Sequence, residues 1–198
     1  MNDSGHTTNS SLQQILDAAE QLIKEKGCRQ TTLQDIITTS GLSKGAIYHY
    51  VSGKDELFGM ILKSKMESMN ARFHQAVTQA ADQDARMPVQ AITEGMMSGA
   101  DKEQVSNKIF TYLLSQADNP KVAHVLREVY DYSLQTATAW IATGQQAGAI
   151  PPHIDAAHMA SMYMVFTYGL RVRNTIVQDS EGAIPMEDIF GLLIHSLK

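Results

Sequence analysis

Cysteine occurs once in this chain, at Cys28, and proline only five times. A single thiol rules out an internal disulfide and a paired-cysteine metal site, and it fits a reducing cytoplasm. The prolines fall outside the long periodic segments, so nothing prevents those segments from being helices. No run approaches the 18 or so uninterrupted apolar residues that a membrane span needs, so no membrane partner is expected. The opening residues lack the basic-then-apolar order of a secretory signal, and residues 1–10 read as a disordered tail.

Catalytic signatures are missing as well. There is no nucleophile elbow, phosphate loop or HExxH helix. His153 and His158 stand five apart, a poor spacing for two ligands on one helix face. The sequence is therefore expected to encode neither an enzyme nor a metal site, and to need no cofactor. Nor is there an excess of positive charge. The net charge is −5, but it is unevenly spread: residues 1–65 hold seven basic and seven acidic side chains, and residues 66–198 hold nine and fourteen. The acidity belongs to the C-terminal part. Any DNA affinity of the N-terminal part must come from a few well-placed cations and backbone dipoles.

What the sequence does contain is helical periodicity. Leu12, Ile15, Leu16, Ala19, Leu22 and Ile23 recur at steps of three and four and predict a helix from Ser11 to Lys26. Ser10 and Gln13 form its capping box, and Gly27 stops it. A second helix is expected over Thr32–Ser40, with Thr31 and Gln34 as capping pair and Gly41 as a positive-φ terminator. Ser43 is a candidate N-cap for a short third helix, Lys44 to Tyr50, with Leu42 and Ile47 placed as a hydrophobic staple. Two helices joined by about three residues around a glycine have the shape of a helix-turn-helix. A fourth helix opens at Ser52, with Asp55 at its third position, and runs on for over twenty residues. Further helices are expected over Pro88–Ser98, Lys102–Ala117, Pro120–Thr143, Ala156–Gln178 and Met186–Ser196. Gly148 to Pro152 is the clearest break. The fold class is all-α: an N-terminal three-helix helix-turn-helix domain over 11–56 (the motif at about 32–51) and a larger helical domain over 57–198, about nine helices in total.

In such a unit the second helix of the motif enters the major groove, leading end first. Ser43, Lys44, Gly45 and Ala46 occupy that end. The two small residues allow close backbone approach, Ala46 can offer only apolar contact, and Lys44 can reach a guanine or a phosphate. Thr32 and Gln34 are candidates for the DNA backbone. Tyr50 suits a mixed role, ring packed and hydroxyl outward. Lys54 sits in the first turn of the fourth helix, where the dipole disfavours a cation, so an anionic partner is expected for it.

The runs Thr31-Thr32-Leu33-Gln34-Asp35-Ile36, Gly41-Leu42-Ser43-Lys44-Gly45-Ala46-Ile47-Tyr48-His49-Tyr50 and Lys54-Asp55-Glu56-Leu57-Phe58, at these spacings, closely resemble the N-terminal module of TetR-family transcriptional regulators. The resemblance covers about Ser11 to Phe58. It implies that Tyr48 and His49 grip phosphates. It also implies a homodimer that binds a palindromic double-stranded operator, with half-sites about 34–36 Å apart or a multiple of that spacing, and that is released by a small-molecule effector. Two residues depart from the family pattern: Ile37 is larger and Val51 smaller than expected, which suggests a volume exchange in the small N-terminal core.

The resemblance further implies an effector cavity in the C-terminal half. Met96, Phe110, Tyr130, Trp140, Tyr163 and Phe166 are candidates for its wall, although such stripes also make ordinary core. Arg171 and Arg173 suit an anion, Glu94, Glu128 and Asp131 a cation, and the ligand's charge stays open. The last two helices carry broad apolar faces, from which Met159, Met162, Tyr163, Leu170, Phe190 and Leu193 are expected at a dimer interface. The alternative to a DNA-binding regulator is a helical adaptor that binds protein.

Overall fold

The computed structural model describes residues 4–80, 84–177 and 184–197. All regular structure among them is helical. The order is α1 (Ser4–Gln30), α2 (Leu33–Ser40), α3 (Lys44–Tyr48), α4 (Lys54–Gln79), α5 (Arg86–Ala100), α6 (Val105–Leu114), α7 (Pro120–Gln146), α8 (Ala156–Ile176) and α9 (Met186–Ser196). The expected all-α class is therefore found. Among the described residues, no helix is long and apolar enough to cross a membrane, and no group of three or more potential metal ligands comes together.

The chain divides into two compact units. The first holds the described residues up to Leu62 together with Lys108–Val129, and the second holds the described residues of 63–107 and 130–197. A boundary was expected near residue 56. The break falls instead inside α4, and most of α6 and the start of α7 belong with the N-terminal helices. The sequence could not show this, because the apolar period of α4 runs through the break.

In the first unit, α1 begins at Ser4, ahead of the expected Ser11, so residues 4–10 are helical where a tail was expected. The stretch contains no proline to stop the helix. The helix breaks where expected. Gly27 has φ 79° and ψ 165°, and the chain then continues in a further short turn to Gln30. Gly41 adopts φ 69° after α2, a conformation that costs a residue with a Cβ. The cap of α2 lies one residue later than expected. Thr32, not Thr31, is the N-cap: its hydroxyl accepts from the Asp35 amide, and the Asp35 carboxylate accepts from the Thr32 N–H. Thr31 is fully buried and turns its hydroxyl back onto the Gly27 carbonyl at 2.9 Å. Ile15, Ile23, Ile36, Ile47, Phe58 and Leu113 are among the side chains that fill this unit. Val51 is buried, whereas Ile37 is only half-buried.

In the second unit, α5 packs against α8 and α9. The core is built from Phe73, Met96, Trp140, Ile141, Leu170, Ile189 and their neighbours. Asp155 caps α8 by accepting from the amides of Ala157 and His158.

Candidate nucleic-acid interface

The motif is built by local chemistry. Gly41 turns the chain, and Ser43 caps α3 by accepting from the Ala46 amide at 3.2 Å. Ile47 anchors α3 as a fully buried side chain. With one face of α3 fixed inward, its leading end is left outward: Ser43, Lys44 and Gly45 are exposed and Ala46 is half-exposed. Tyr48 is 47% exposed, an unusual placement for a ring that the core could have taken. The Lys44 ammonium lies 5.6 Å from the Tyr48 ring centroid. His49 is exposed, and its ring meets that of half-buried Tyr50 edge-on at 5.3 Å. Thr32 and Gln34 are exposed at the start of α2, although the Thr32 hydroxyl is also engaged by Asp35 at 2.7 Å. Asp35 is in turn paired with Lys26 at 2.7 Å. The Lys26 ammonium, with the Thr32 donors, holds the Asp35 carboxyl down to about 2.

Lys54 does not join this surface. Its ammonium donates to the carbonyls of Cys28, Arg29 and Thr31 at 3.1, 3.2 and 3.0 Å. It also lies 5.2 Å from the ring centroid of Tyr112. The expected negative partner exists, but it is the carbonyl end of α1 and the turn that follows. All three ammonium hydrogens are used there, so no phosphate role is assigned to Lys54. Sequence reasoning also missed Tyr112, whose ring packs edge-on against Phe58 at 5.6 Å and whose hydroxyl donates to Asp55 at 3.1 Å. Its partners are more than fifty positions away, and no local pattern marks them. The start of α4 is closed by Glu56, which accepts from the Ser52 amide and hydroxyl at 2.7 and 2.9 Å. Asp55, the residue expected there, serves Tyr112 instead.

In the second unit a cavity of about 330 Å³ opens among Phe73, Val77, Trp140, Ile141, Ile150 and Tyr163. Of the expected wall residues it gathers Trp140 and Tyr163. Met96, Tyr130 and Phe166 are not on it. Met96 is buried in the core, and Tyr130 meets Tyr168 with ring centroids 6.2 Å apart. Phe110 is buried in the first unit. The expected charged candidates are elsewhere too. Arg171 donates to the Ser106 carbonyl at 3.2 Å and Arg173 to Asn174. Glu94 accepts from Gln90, and Glu128 lies beside His124. Asp84, not singled out from the sequence, does stand on the wall.

The residues expected at a dimer face divide between core and surface. Leu170 and Leu193 are buried within the unit's own core, at 4% and 2% exposure. Met159, Tyr163 and Phe190 pack partly against that core. Of the residues named, Met162 is exposed.

A buried helix-turn-helix scaffold that presents a short, small-residue helix end defines a DNA-binding domain of the helix-turn-helix class. Residues 15–61 match the family described as bacterial regulatory proteins, tetR family. Residues 15–61 thus form a TetR-family DNA-binding domain, and the chain as a whole is similar to transcriptional regulators of that family. It is 27% identical over 180 residues to the uncharacterized HTH-type transcriptional regulator YfiR of Bacillus subtilis (strain 168), covering 90% of this chain and 84% of that protein. It is also 27% identical over 113 residues to the HTH-type transcriptional repressor KstR2 of Rhodococcus jostii (strain RHA1), covering 50% of this chain and 54% of that protein. Among solved structures, the transcriptional regulator FadR from Bacillus subtilis, in complex with stearoyl-CoA, shares the fold. The TM-score is 0.60 at 21% identity, over 93% of this chain and 96% of that one. These relatives are transcription regulators rather than enzymes.

Proposed function

We propose that the chain is a homodimeric repressor that holds a palindromic operator with two copies of α3 and releases it when a small molecule occupies the second unit. The observation that carries the reading is the outward leading end of α3, with Ser43, Lys44 and Gly45 exposed beside an exposed Tyr48. Small residues there let the backbone approach base edges, while Lys44, Tyr48 and His49 supply donors for phosphates. Thr32 and Gln34 flank this surface from α2. The reading places the protein where the DNA is, in the cytoplasm.

Three observations support the rest. On α8, Met162, Val165, Val172 and Ile176 are 54%, 66%, 39% and 72% exposed at steps of three, seven and four, an unpartnered apolar stripe. A second copy of α8 would cover it by two-fold symmetry. The second unit contains a cavity of ligand size. The structural relative FadR was solved with stearoyl-CoA. The helix α4 runs from Lys54 in the first unit to Gln79 in the second, so it is the natural lever. A coupling of about 1–3 kcal/mol is what such regulation needs.

Anisotropy of a labelled duplex from upstream of the protein's own gene, followed across a salt series, tests the DNA half. Binding should weaken with salt. Tyr48→Ala or Lys44→Ala should weaken it further, and Lys44→Ala should also lower the salt slope by about 1, for the phosphate its ammonium no longer neutralises. Binding that ignores salt, or that survives both changes unaltered, rejects the interface. Sedimentation should give twice the chain mass, and a monomer at operator-binding concentrations rejects the pairing.

A further inference from the structure

We infer that the cavity of the second unit takes an uncharged, largely apolar molecule and discriminates against carboxylates and phosphates. This rests on the reading of the protein as ligand-released. The walls come from α4, the residues just before α5, α5, α7, the turn after α7, α8 and the end of α9. Most of what faces the space is hydrocarbon and aromatic ring: Phe73, Val77, Ile141, Ile150 and Leu197, with Trp140 lying 5.3 Å from Phe73, centroid to centroid. Its volume of about 330 Å³ would hold on the order of ten waters at liquid density.

The polar groups on the wall already have partners inside the protein. Thr143 Oγ1 donates to the Ala139 carbonyl at 2.8 Å, Trp140 Nε1 donates to Asn70 Oδ1 at 2.7 Å, and the Tyr163 hydroxyl lies 2.7 Å from Ser196 Oγ. The Gly144 carbonyl accepts from the amides of Ala149 and Ile150. A ligand that needs strong donors would have to break one of these bonds.

The electrostatics point the same way. No Lys, Arg or His is among the described wall residues, and the one carboxylate among them is Asp84. The wall also takes in Thr143 and Gly144, in the last turn of the 27-residue helix α7, where the helix dipole is negative. Asp84 is held by Arg86 through both carboxylate oxygens, and the Arg86 side chain is 76% exposed, turned to solvent. Its charge is therefore spent outside the cavity. An anion would lose its water and find no cation on the described wall, only the negative end of the α7 dipole. A cation fares better, but Asp84 is already paired, and the rest of the wall offers it hydrocarbon. An acyl chain that ends in a thioester and phosphates has no phosphate site here among the described residues.

The single tryptophan of the chain, Trp140, is on the wall, so its fluorescence reads occupancy directly. The test titrates the full-length protein with 1-decanol, decylammonium and decanoate, below their aggregation limits, and follows Trp140 emission. Anisotropy of the operator duplex is measured in parallel. Decanol should bind tightest, decylammonium less well, and decanoate at least about tenfold weaker than decanol. Ala147→Lys, at the exposed rim of the cavity, and Thr143→Lys each place a cation on the wall and should narrow the gap in favour of decanoate. Decanoate or decylammonium binding as tightly as decanol overturns the inference, and so does a Trp140 signal that ignores all three. If decanoate binds best and frees the duplex, the charge argument fails while ligand release stands. If decanol moves Trp140 but the duplex stays bound, the cavity's preference holds while the release reading fails.

Discussion

The Lys54 ammonium donates to the carbonyl of Cys28 at 3.1 Å, across 26 positions of sequence. Carbonyls at the end of a helix lack intrahelical partners and carry the negative end of its dipole. The break at Gly27 leaves Cys28, Arg29 and Thr31 in this position, and Lys54 gathers all three carbonyls. A residue at the very start of α4 thus closes the end of α1, which ties the entry to α2 and α3 to the helix that leads away from them.

Lys54→Met should therefore act on stability before it acts on DNA. Hydrogen bonds to a charged donor are worth roughly 1.5–3 kcal/mol when buried, and this group is only half-buried, so a loss of about 1–2 kcal/mol is expected. For a chain of this size that corresponds to a drop in Tm of about 2–8 °C. The salt slope of operator binding should not change. A slope lowered by about 1, with Tm intact, would mean that Lys54 is a phosphate ligand after all.

Cys28 offers a second view of the same clamp. Its side chain is buried, and burial pushes the thiol up to about 11 while the nearby Lys54 ammonium partly opposes it. A thiol held so far above neutral pH is a poor nucleophile. In the native protein a disulfide reagent at pH 8 should label Cys28 far more slowly than in denatured protein. Lys54→Met should speed the native reaction by loosening the turn. Fast labelling of the wild type would instead make Cys28 an accessible redox site.

Much of the N-terminal unit was legible because its determinants are local. Gly41 with Ser43 specifies the turn and the α3 cap within six residues, and both behave as the sequence suggests. Thr31 and Thr32 were harder. Adjacent threonines offer the same cap chemistry, and the choice is made by the Gly27 carbonyl, which takes the Thr31 hydroxyl. The role of Lys54 was not legible, because backbone carbonyls carry no sequence signature. On α8 the apolar residues surround the helix, so periodicity could not separate buried Leu170 from exposed Val165. The cavity is where side chains from distant segments fail to meet, and a one-dimensional pattern does not encode a void.

Asp35 should make the motif acid-sensitive. Its carboxyl is held down to about 2 by Lys26 and then by Thr32, against 3.8 for the free group. A group with a lowered folded value contributes its full stabilisation above the unfolded value and loses it as pH falls through the folded one. The window is therefore from about pH 4 down to about pH 2. Asp35→Asn should lower Tm at neutral pH, and the difference from wild type should shrink across that window. A difference independent of pH would show that the carboxylate's charge is irrelevant and that only its hydrogen bonds to Thr32 matter.

Tyr112→Phe removes one hydroxyl and keeps the ring. The bond removed is the one to Asp55 at 3.1 Å, while the packing on Phe58 and the approach to Lys54 remain. A cost of about 0.5–1.5 kcal/mol is expected. Tyr112→Leu also removes the face presented to the ammonium and should cost roughly a further 0.5–1 kcal/mol. Denaturant unfolding of the two variants measures the step between them. Equal destabilisation would mean that the aromatic face contributes nothing that a leucine side chain does not.

The two sides of α8 make opposite predictions. Val165 is 66% exposed and Ile176 is 72% exposed, whereas Leu170 is 4% exposed. If a second copy covers the exposed stripe, Val165→Glu or Ile176→Glu places a charge in an apolar interface and should yield monomers by sedimentation, with the helical spectrum retained and operator binding abolished. Leu170→Ala should leave the stoichiometry of the folded fraction alone and destabilise the chain by about 2–5 kcal/mol, the usual range for emptying a buried leucine site. The pair separates partner contact from internal packing, because each substitution moves one observable and spares the other. If Val165→Glu and Ile176→Glu both remain dimeric, the copies meet elsewhere and the α8 stripe has a different occupant.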